Sequence, residues 1–354
     1  AMPRVFDLCP CFFFNVAGVA GIGPAHLGFR DLCLTTWLHP KARSILLNAL
    51  TGARVFSAFG QELPTPPSRP IVYNRSMSII DAHAHIYSSP TLGECERTLL
   101  RSMKKYGISF SLASDCDGAE FPSGASEKVK KTTTLNCLKR TVNFAKANPT
   151  KIGAAVWIRP VREKEPSPEL RAYVKENRRW IYALKFHPFA ERTPILSPLL
   201  TPWLHWAEDE GLPILVHTAA DEFSDIEFLA EAAKLHPSLS FIAAHLQLLG
   251  DREKAIKTLQ KAPNLYGDTA WVPMEIAAKA ISALGEERLL FGTDNPIDGL
   301  DTLGNPLYKD YFENALGLSE DAYRKMMFQN AVKLFGLPFG NGLSEVEWPR
   351  IKPF

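Results

Sequence analysis

The sequence predicts an α/β protein, a (β/α)8 TIM barrel preceded by a small, partly helical N-terminal extension. Three observations carry this. Between residues 77 and 337, eight short apolar runs alternate with stretches of helical period. The runs are nearly continuous in apolar residues, which is the pattern of a parallel sheet covered by helices. Finally, the first run lacks the glycine-rich turn that a dinucleotide-binding open sheet would carry, so eight units over about 260 residues fit a closed barrel better than a doubly wound sheet.

Taken in order, residues 1–62 read as an extension with one helix pattern, in which Ile45, Leu46, Ala49 and Leu50 fall at helical spacing. Residues 63–76 form a proline-rich linker with Pro64, Pro66, Pro67 and Pro70, stiff and extended. The barrel is expected over 77–337, with strands at 78–85, 108–114, 152–158, 181–187, 213–218, 239–245, 264–270 and 288–294, and a C-terminal tail over 338–354. Helix faces are readable between the strands: Leu92, Cys95, Leu99, Met103 and Tyr106 share one, and Phe228, Leu229, Ala232, Ala233 and Leu235 another. The connection after the second strand, 115–131, is rich in Gly and Ser and is expected to act as a lid.

Composition narrows the function classes. The 46% hydrophobic content of the 354 residues supplies an ample core for a soluble protein. Forty Lys+Arg against 38 Asp+Glu leave a charge near +2 with no long like-charge block, which gives no reason to expect a nucleic-acid or membrane partner. The six cysteines lack paired Cys-x-x-Cys spacing and read as reduced thiols of a cytoplasmic protein. The apolar stretch 11–23 is too short to span a membrane, and Asp7 and Asn15 interrupt a signal-peptide reading.

The polar residues that interrupt the apolar runs fall at carboxyl ends: His83 and His85 on the first strand, Lys185 and His187 on the fourth, His217 on the fifth, His245 on the sixth and Asp294 on the eighth. In a barrel these ends meet on the face where active sites of this fold are built. A lone strand-end histidine is more often structural, but five of the nine histidines end strands. Imidazoles and a carboxylate on one rim suit zinc or another first-row divalent ion, with a position left for water or substrate. Arg159, ending the third strand, is a candidate to grip a substrate carboxylate, with a rim salt bridge as its alternative. Trp157 shares its strand face and Trp271 follows the seventh strand, so either can wall the pocket.

Through "DAHAH", "LKFHP", "PILVHT", "AAHL", "LYGDTA", "LLFGTDNP" and "NAVKLFGL", residues 77–337 resemble the amidohydrolase superfamily, in its amidohydrolase-related branch. That branch includes metal-dependent hydrolases and nonoxidative decarboxylases such as amino-carboxymuconate-semialdehyde decarboxylase. The resemblance implies that His83 and His85 are metal ligands, that Asp294 is a ligand or the base that takes a proton from the attacking water, and that His245 is a second-metal ligand or a proton carrier. His187 matches the ligand of decarboxylase-like members and His217 that of hydrolases, so the further histidine ligand stays open, as does the number of ions, one or two. Zinc is expected, with manganese the alternative. Lys185 invites comparison with a bridging carboxylated lysine but stands two residues before His187, which favours a structural or substrate-facing ammonium. The expected activity is hydrolysis of a small carboxylated lactone, amide or ester by metal-activated water. Nonoxidative decarboxylation and a non-catalytic binding barrel are the alternatives, and the extension and tail are candidate surfaces for a homo-oligomer.

Overall fold

Each of the eight apolar runs forms a strand, and neighbours pair in parallel in sequence order. The structure, a computed structural model, describes residues 77–88, 93–119, 132–296 and 300–339. The predicted extension and linker lie outside the described residues, as do most of the tail and residues 120–131 of the predicted lid. In chain order come β1 (Ile79–Ile86), α1 (Glu94–Tyr106), β2 (Ile108–Asp115), α2 (Thr134–Ala147), β3 (Ile152–Trp157), α3 (Pro168–Glu176) and β4 (Ile181–Phe186). There follow the single turn α4 (Pro188–Glu191), α5 (Thr201–Glu210), β5 (Ile214–Ala219), α6 (Ile226–Leu235), β6 (Phe241–Leu248), α7 (Arg252–Leu259), β7 (Leu265–Asp268), α8 (Met274–Leu284) and β8 (Leu289–Leu290). The chain continues through α9 (Pro306–Glu313), α10 (Glu320–Arg324), a π turn at Lys325–Gln329 and α11 (Asn330–Phe335).

Helix starts follow from local chemistry. Thr133, Ser167, Asp225 and Asp251 each accept a backbone N–H of the first turn of the helix that follows, satisfying donors a helix leaves open. Backbone bonds from Ala82 N to the Phe291 carbonyl (2.8 Å), Asp294 N to the His83 carbonyl (2.7 Å) and His85 N to the Asn295 carbonyl (2.9 Å) join β8 to β1 and close the barrel. Regular pairing of β8 covers only Leu289–Leu290, shorter than the predicted 288–294, because Asp294 turns into the left-handed region at φ 61°.

Two apolar clusters divide the interior. The larger lies between strands and helices; the smaller gathers alternate strand residues such as Ile80, Leu112, Leu215, Ile242 and Leu290 and is packed by Phe328, Phe335 and Phe339 from the C-terminal segment. The barrel interior is thus a packed core closed by apolar side chains, and the polar residues are left to the carboxyl ends.

Candidate active site and metal centre

At the carboxyl end of β1 the pleat changes phase. Ile80 and Ala82 belong to the inner cluster and Ala84 and Ile86 to the outer one, with a register irregularity against β2 between Asp81 and Ala84. This turns both His83 and His85 toward the mouth. Asp81 fixes the irregular segment, since its carboxylate accepts the His83 N–H (3.1 Å), the Thr293 N–H (3.1 Å) and the Thr293 hydroxyl (2.6 Å). Gly292 allows the close approach of β8, because a Cβ there would lie 3.0 Å from that of His83.

The donors converge tightly. His83 Nε2 and His85 Nε2 are 3.1 Å apart, and Asp294 Oδ1 stands 3.3 Å from the first and 2.9 Å from the second. Ligand atoms of His83, His245 and Asp294 all lie within 4.8 Å of one another and all three residues are buried. Two ligands each about 2.0–2.1 Å from a shared zinc ion sit roughly 3–3.5 Å apart, so the triangle has the size that one small divalent ion requires.

The outer atoms of these side chains are anchored so that the inner ones face the centre. His83 Nδ1 donates to Asp268 Oδ2 at 2.8 Å, His245 Nδ1 donates to the Ala270 carbonyl at 3.1 Å, and His85 Nδ1 meets Ser114 Oγ at 2.9 Å. Such outer partners fix tautomer and ring direction in metal sites. Burial, reinforced by the Lys185 charge, holds the His83 imidazole well below its usual value, and burial likewise lowers His187, His217 and His245. Neutral rings are what a metal ion needs, and His83 and His245, donating at Nδ1, turn an Nε2 lone pair inward. Asp294 is buried, yet its hydrogen bond with His85 and the neighbouring imidazoles of His83 and His245 outweigh that burial and hold its carboxyl below the usual carboxylate range. Its second oxygen accepts the Trp271 indole N–H at 2.9 Å. Donor set, tautomers and spacing all fit a first-row divalent cation.

His245 reaches the mouth by a different device. Ile242 and Ala244 are inward residues, so His245 would face outward on a regular strand, but His245, Leu246 and Gln247 take φ of 69°, 47° and 64°. The Asp268 carboxylate accepts the His245 N–H at 2.8 Å and holds this twist. Asp268, at the end of β7, therefore positions both His83 and His245. Sequence reasoning passed over it, although it ends a strand in "LYGDTA" as Asp294 follows one in "GTDNP". Burial raises its carboxyl above the ordinary value.

The remaining predicted residues surround this centre. His187 caps α4, its Nδ1 accepting the Ala190 N–H at 3.2 Å, which places the proton of the neutral ring on Nε2. It stacks on His217 at 3.8 Å, and His217 meets His245 edge-on at 4.8 Å. Lys185 is buried and its Nζ donates to His83 Nε2 at 2.8 Å. Trp157 is buried 6.1 Å from His85 and 6.0 Å from His187, ring centre to ring centre, and Gly118 permits the β2 turn to lie directly on its indole. Its indole N–H is buried with no partner among the described residues. Arg159 is buried as well, and its guanidinium donates to the Thr132 carbonyl at the start of α2.

The fold and site define a TIM-barrel protein with a candidate metal site, built from histidines and an aspartate at the strand ends. The Amidohydrolase family model matches residues 80–337, more than half of the chain, and the protein belongs to that family of enzymes. Comparison with curated proteins gives no match. Among solved structures, 5-carboxyvanillate decarboxylase from Novosphingobium aromaticivorans, complexed with manganese and 4-hydroxy-3-methoxy-5-nitrobenzoic acid, aligns with TM-score 0.57 and 13% identity over 75% of this chain and 97% of its own. A probable 2-pyrone-4,6-dicarboxylic acid hydrolase from Acinetobacter baumannii, with citric acid bound, gives 0.53 and 16% over 73% and 100%. The 2,6-dihydroxybenzoate decarboxylase from Rhizobium gives 0.52 and 17% over 74% and 99%. At these identities the likeness is one of fold. Among the described residues no helix is long and apolar enough to cross a membrane.

Proposed function

We propose that the protein is a divalent-metal-dependent hydrolase of a small carboxylated lactone, amide or ester, with zinc as its ion and manganese as the alternative. The observation that carries this reading is the triangle of His83, His85 and Asp294 donor atoms, with edges of 3.1, 3.3 and 2.9 Å, backed by His245. When bound there, the ion would lower the pKa of a water toward neutrality and polarise the scissile carbonyl.

The chain's own residues would do the rest. His83, His85 and Asp294 hold the ion, with His217 as the further histidine ligand. His187 is unsuited to that role because its Nδ1 lone pair is taken by the Ala190 N–H and its Nε2 carries the proton. It serves instead as a hydrogen-bond donor to a substrate oxygen, alongside the Trp157 indole N–H. His245, anchored at Nδ1 by the Ala270 carbonyl, accepts a proton at Nε2 and returns it to the leaving group. Asp294 stays ionised throughout, oriented by Trp271. The Lys185 ammonium attracts a substrate carboxylate, and the buried Arg159 shapes the wall beneath it.

A second reading, nonoxidative decarboxylation, is favoured by the decarboxylases among the solved neighbours and by the buried ammonium beside His83. Mass spectrometry of the metal-loaded protein with carboxylated lactones, amides and aromatic acids separates the two. The hydrolase reading expects a product heavier by one water; loss of carbon dioxide would establish the decarboxylase instead. Full activity after complete chelation would overturn both.

A further inference from the structure

We propose a second metal site, away from the barrel mouth, in which His205, Glu208 and His236 bind a zinc-class divalent ion that clips α5 to the end of α6. His205 and Glu208 stand three residues apart on α5, so they share one face. His236 terminates α6 and comes from the next unit of the barrel. One ligand atom from each residue lies within 4.8 Å of the other two. His236 Nδ1 and Glu208 Oε1 are hydrogen-bonded at 3.2 Å, a separation that two ligands of one small ion also take, and the two imidazole rings lie 5.9 Å apart with a 59° tilt. Ser238 Oγ donates to the same carboxylate oxygen at 2.8 Å, which leaves Oε2 as the second donor atom of the group.

Two imidazoles and one carboxylate form a borderline donor set, which prefers zinc, nickel or copper to the oxygen-seeking magnesium or calcium. Three protein ligands leave a position for water. The site is partly exposed, with His236 and Glu208 side chains 16% and 23% accessible, so an ion can enter without opening the fold. The three residues sit on the helical layer, two on α5 and one at the end of α6, the helices that lead into β5 and β6, whose other ends carry His217 and His245. An ion here ties two successive units together on the outside of the barrel, and the residues serve no step of the chemistry proposed for the mouth.

Equilibrium dialysis of the metal-stripped full-length protein against zinc, with magnesium as control, tests this. Background variants His83→Ala and Asp294→Asn, combined, remove two of the four proposed mouth ligands, so the zinc lost on adding the clip variants reports on the clip. We expect that background to bind one equivalent of zinc and no magnesium, to melt at a higher temperature with zinc than without, and to give visible absorption with cobalt that shifts when nitrogen ligands are lost. Adding His205→Ala and His236→Ala should abolish all three signals while leaving the circular dichroism spectrum unchanged, and Glu208→Gln should weaken zinc binding at least tenfold. If the zinc equivalent and the melting shift survive His205→Ala with His236→Ala, the clip does not exist. Should the double-mutant background fail to fold, His205→Ala and His236→Ala in the wild-type chain must lower the zinc content by one equivalent; unchanged content again overturns the proposal. None of these outcomes depends on whether the mouth hydrolyses or decarboxylates its substrate.

Discussion

Gly292 shows how tightly single residues constrain the centre. A methyl group there would stand 3.0 Å from the His83 Cβ and 3.4 Å from Asp268 atoms, so Gly292→Ala must push β8 off β1. We expect a loss on the order of 1–3 kcal/mol in stability from overpacking and weaker metal retention, both measurable by melting and dialysis on one sample. The histidines divide by tautomer. His217→Ala should lower metal content, whereas His187→Gln should keep the metal and lose turnover, because His187 already spends Nδ1 on the α4 cap. Metal loss in His187→Gln with retention in His217→Ala would reverse the assignment. Asp268→Asn replaces the acceptor that aims His83 and holds the His245 twist, so metal affinity should fall by about 10–100-fold, the usual cost of removing such an outer partner.

At the scale of elements, most of what positions the site was legible and its fine aiming was not. The apolar runs end where the polar residues begin, which is why His83, His85, Lys185, His187, His217, His245 and Asp294 could be placed at carboxyl ends from sequence. Alternation alone would turn His245 outward, given inward Ala244, and only the left-handed backbone at 245–247 brings it round. Its cause is the Asp268 carboxylate, 23 residues further along, and no local pattern encodes a tertiary contact of that kind. Arg159, read as a grip for a substrate carboxylate or a rim salt bridge, lies buried with its guanidinium donating to the Thr132 carbonyl, a contact that no local pattern encodes either. The β2 end supplies a pH test. Asp115 is buried, and desolvation pushes its carboxyl up to about 8 despite the Arg140 guanidinium 3.4 Å from both oxygens. A carboxyl whose folded value lies above its unfolded one binds more protons in the fold. Its stabilising effect is complete below about pH 4 and is lost progressively as pH rises through 8. Asp115→Asn should therefore flatten the fall of melting temperature between pH 5 and 8, and an identical slope in both proteins would mean that Asp115 is ionised in the fold.

For the whole molecule, the proposed mouth centre would draw its ligands from strands that are far apart in sequence and brought together by the closed ring. His83 and His85 come from β1, His217 from β5 and Asp294 from the segment after β8, with the proton-carrying His245 beside them on β6. Among the described residues β8 pairs regularly only with β7, and the seam to β1 consists of the bridge between Ala84 and Asn295 and of backbone bonds that run through the segment carrying Asp294. An ion bound by both sides of that seam binds the folded chain and not the unfolded one, so it adds to stability by mass action, about 2.7 kcal/mol when free metal is 100 times the dissociation constant. For a domain of this size each kcal/mol corresponds to roughly 2–4 °C in melting temperature. Chelation should then lower the midpoint by several degrees, and restoring zinc or manganese should recover it. Because the clip on α5 and α6 would contribute its own shift with zinc, the measurement belongs in the His205→Ala, His236→Ala background. There the chelation effect should persist, disappear on Asp294→Asn, and be concentrated in the amides of β1 and the segment 291–295 by hydrogen exchange. Protection spread evenly over the barrel would place the stabilising ion somewhere other than this seam.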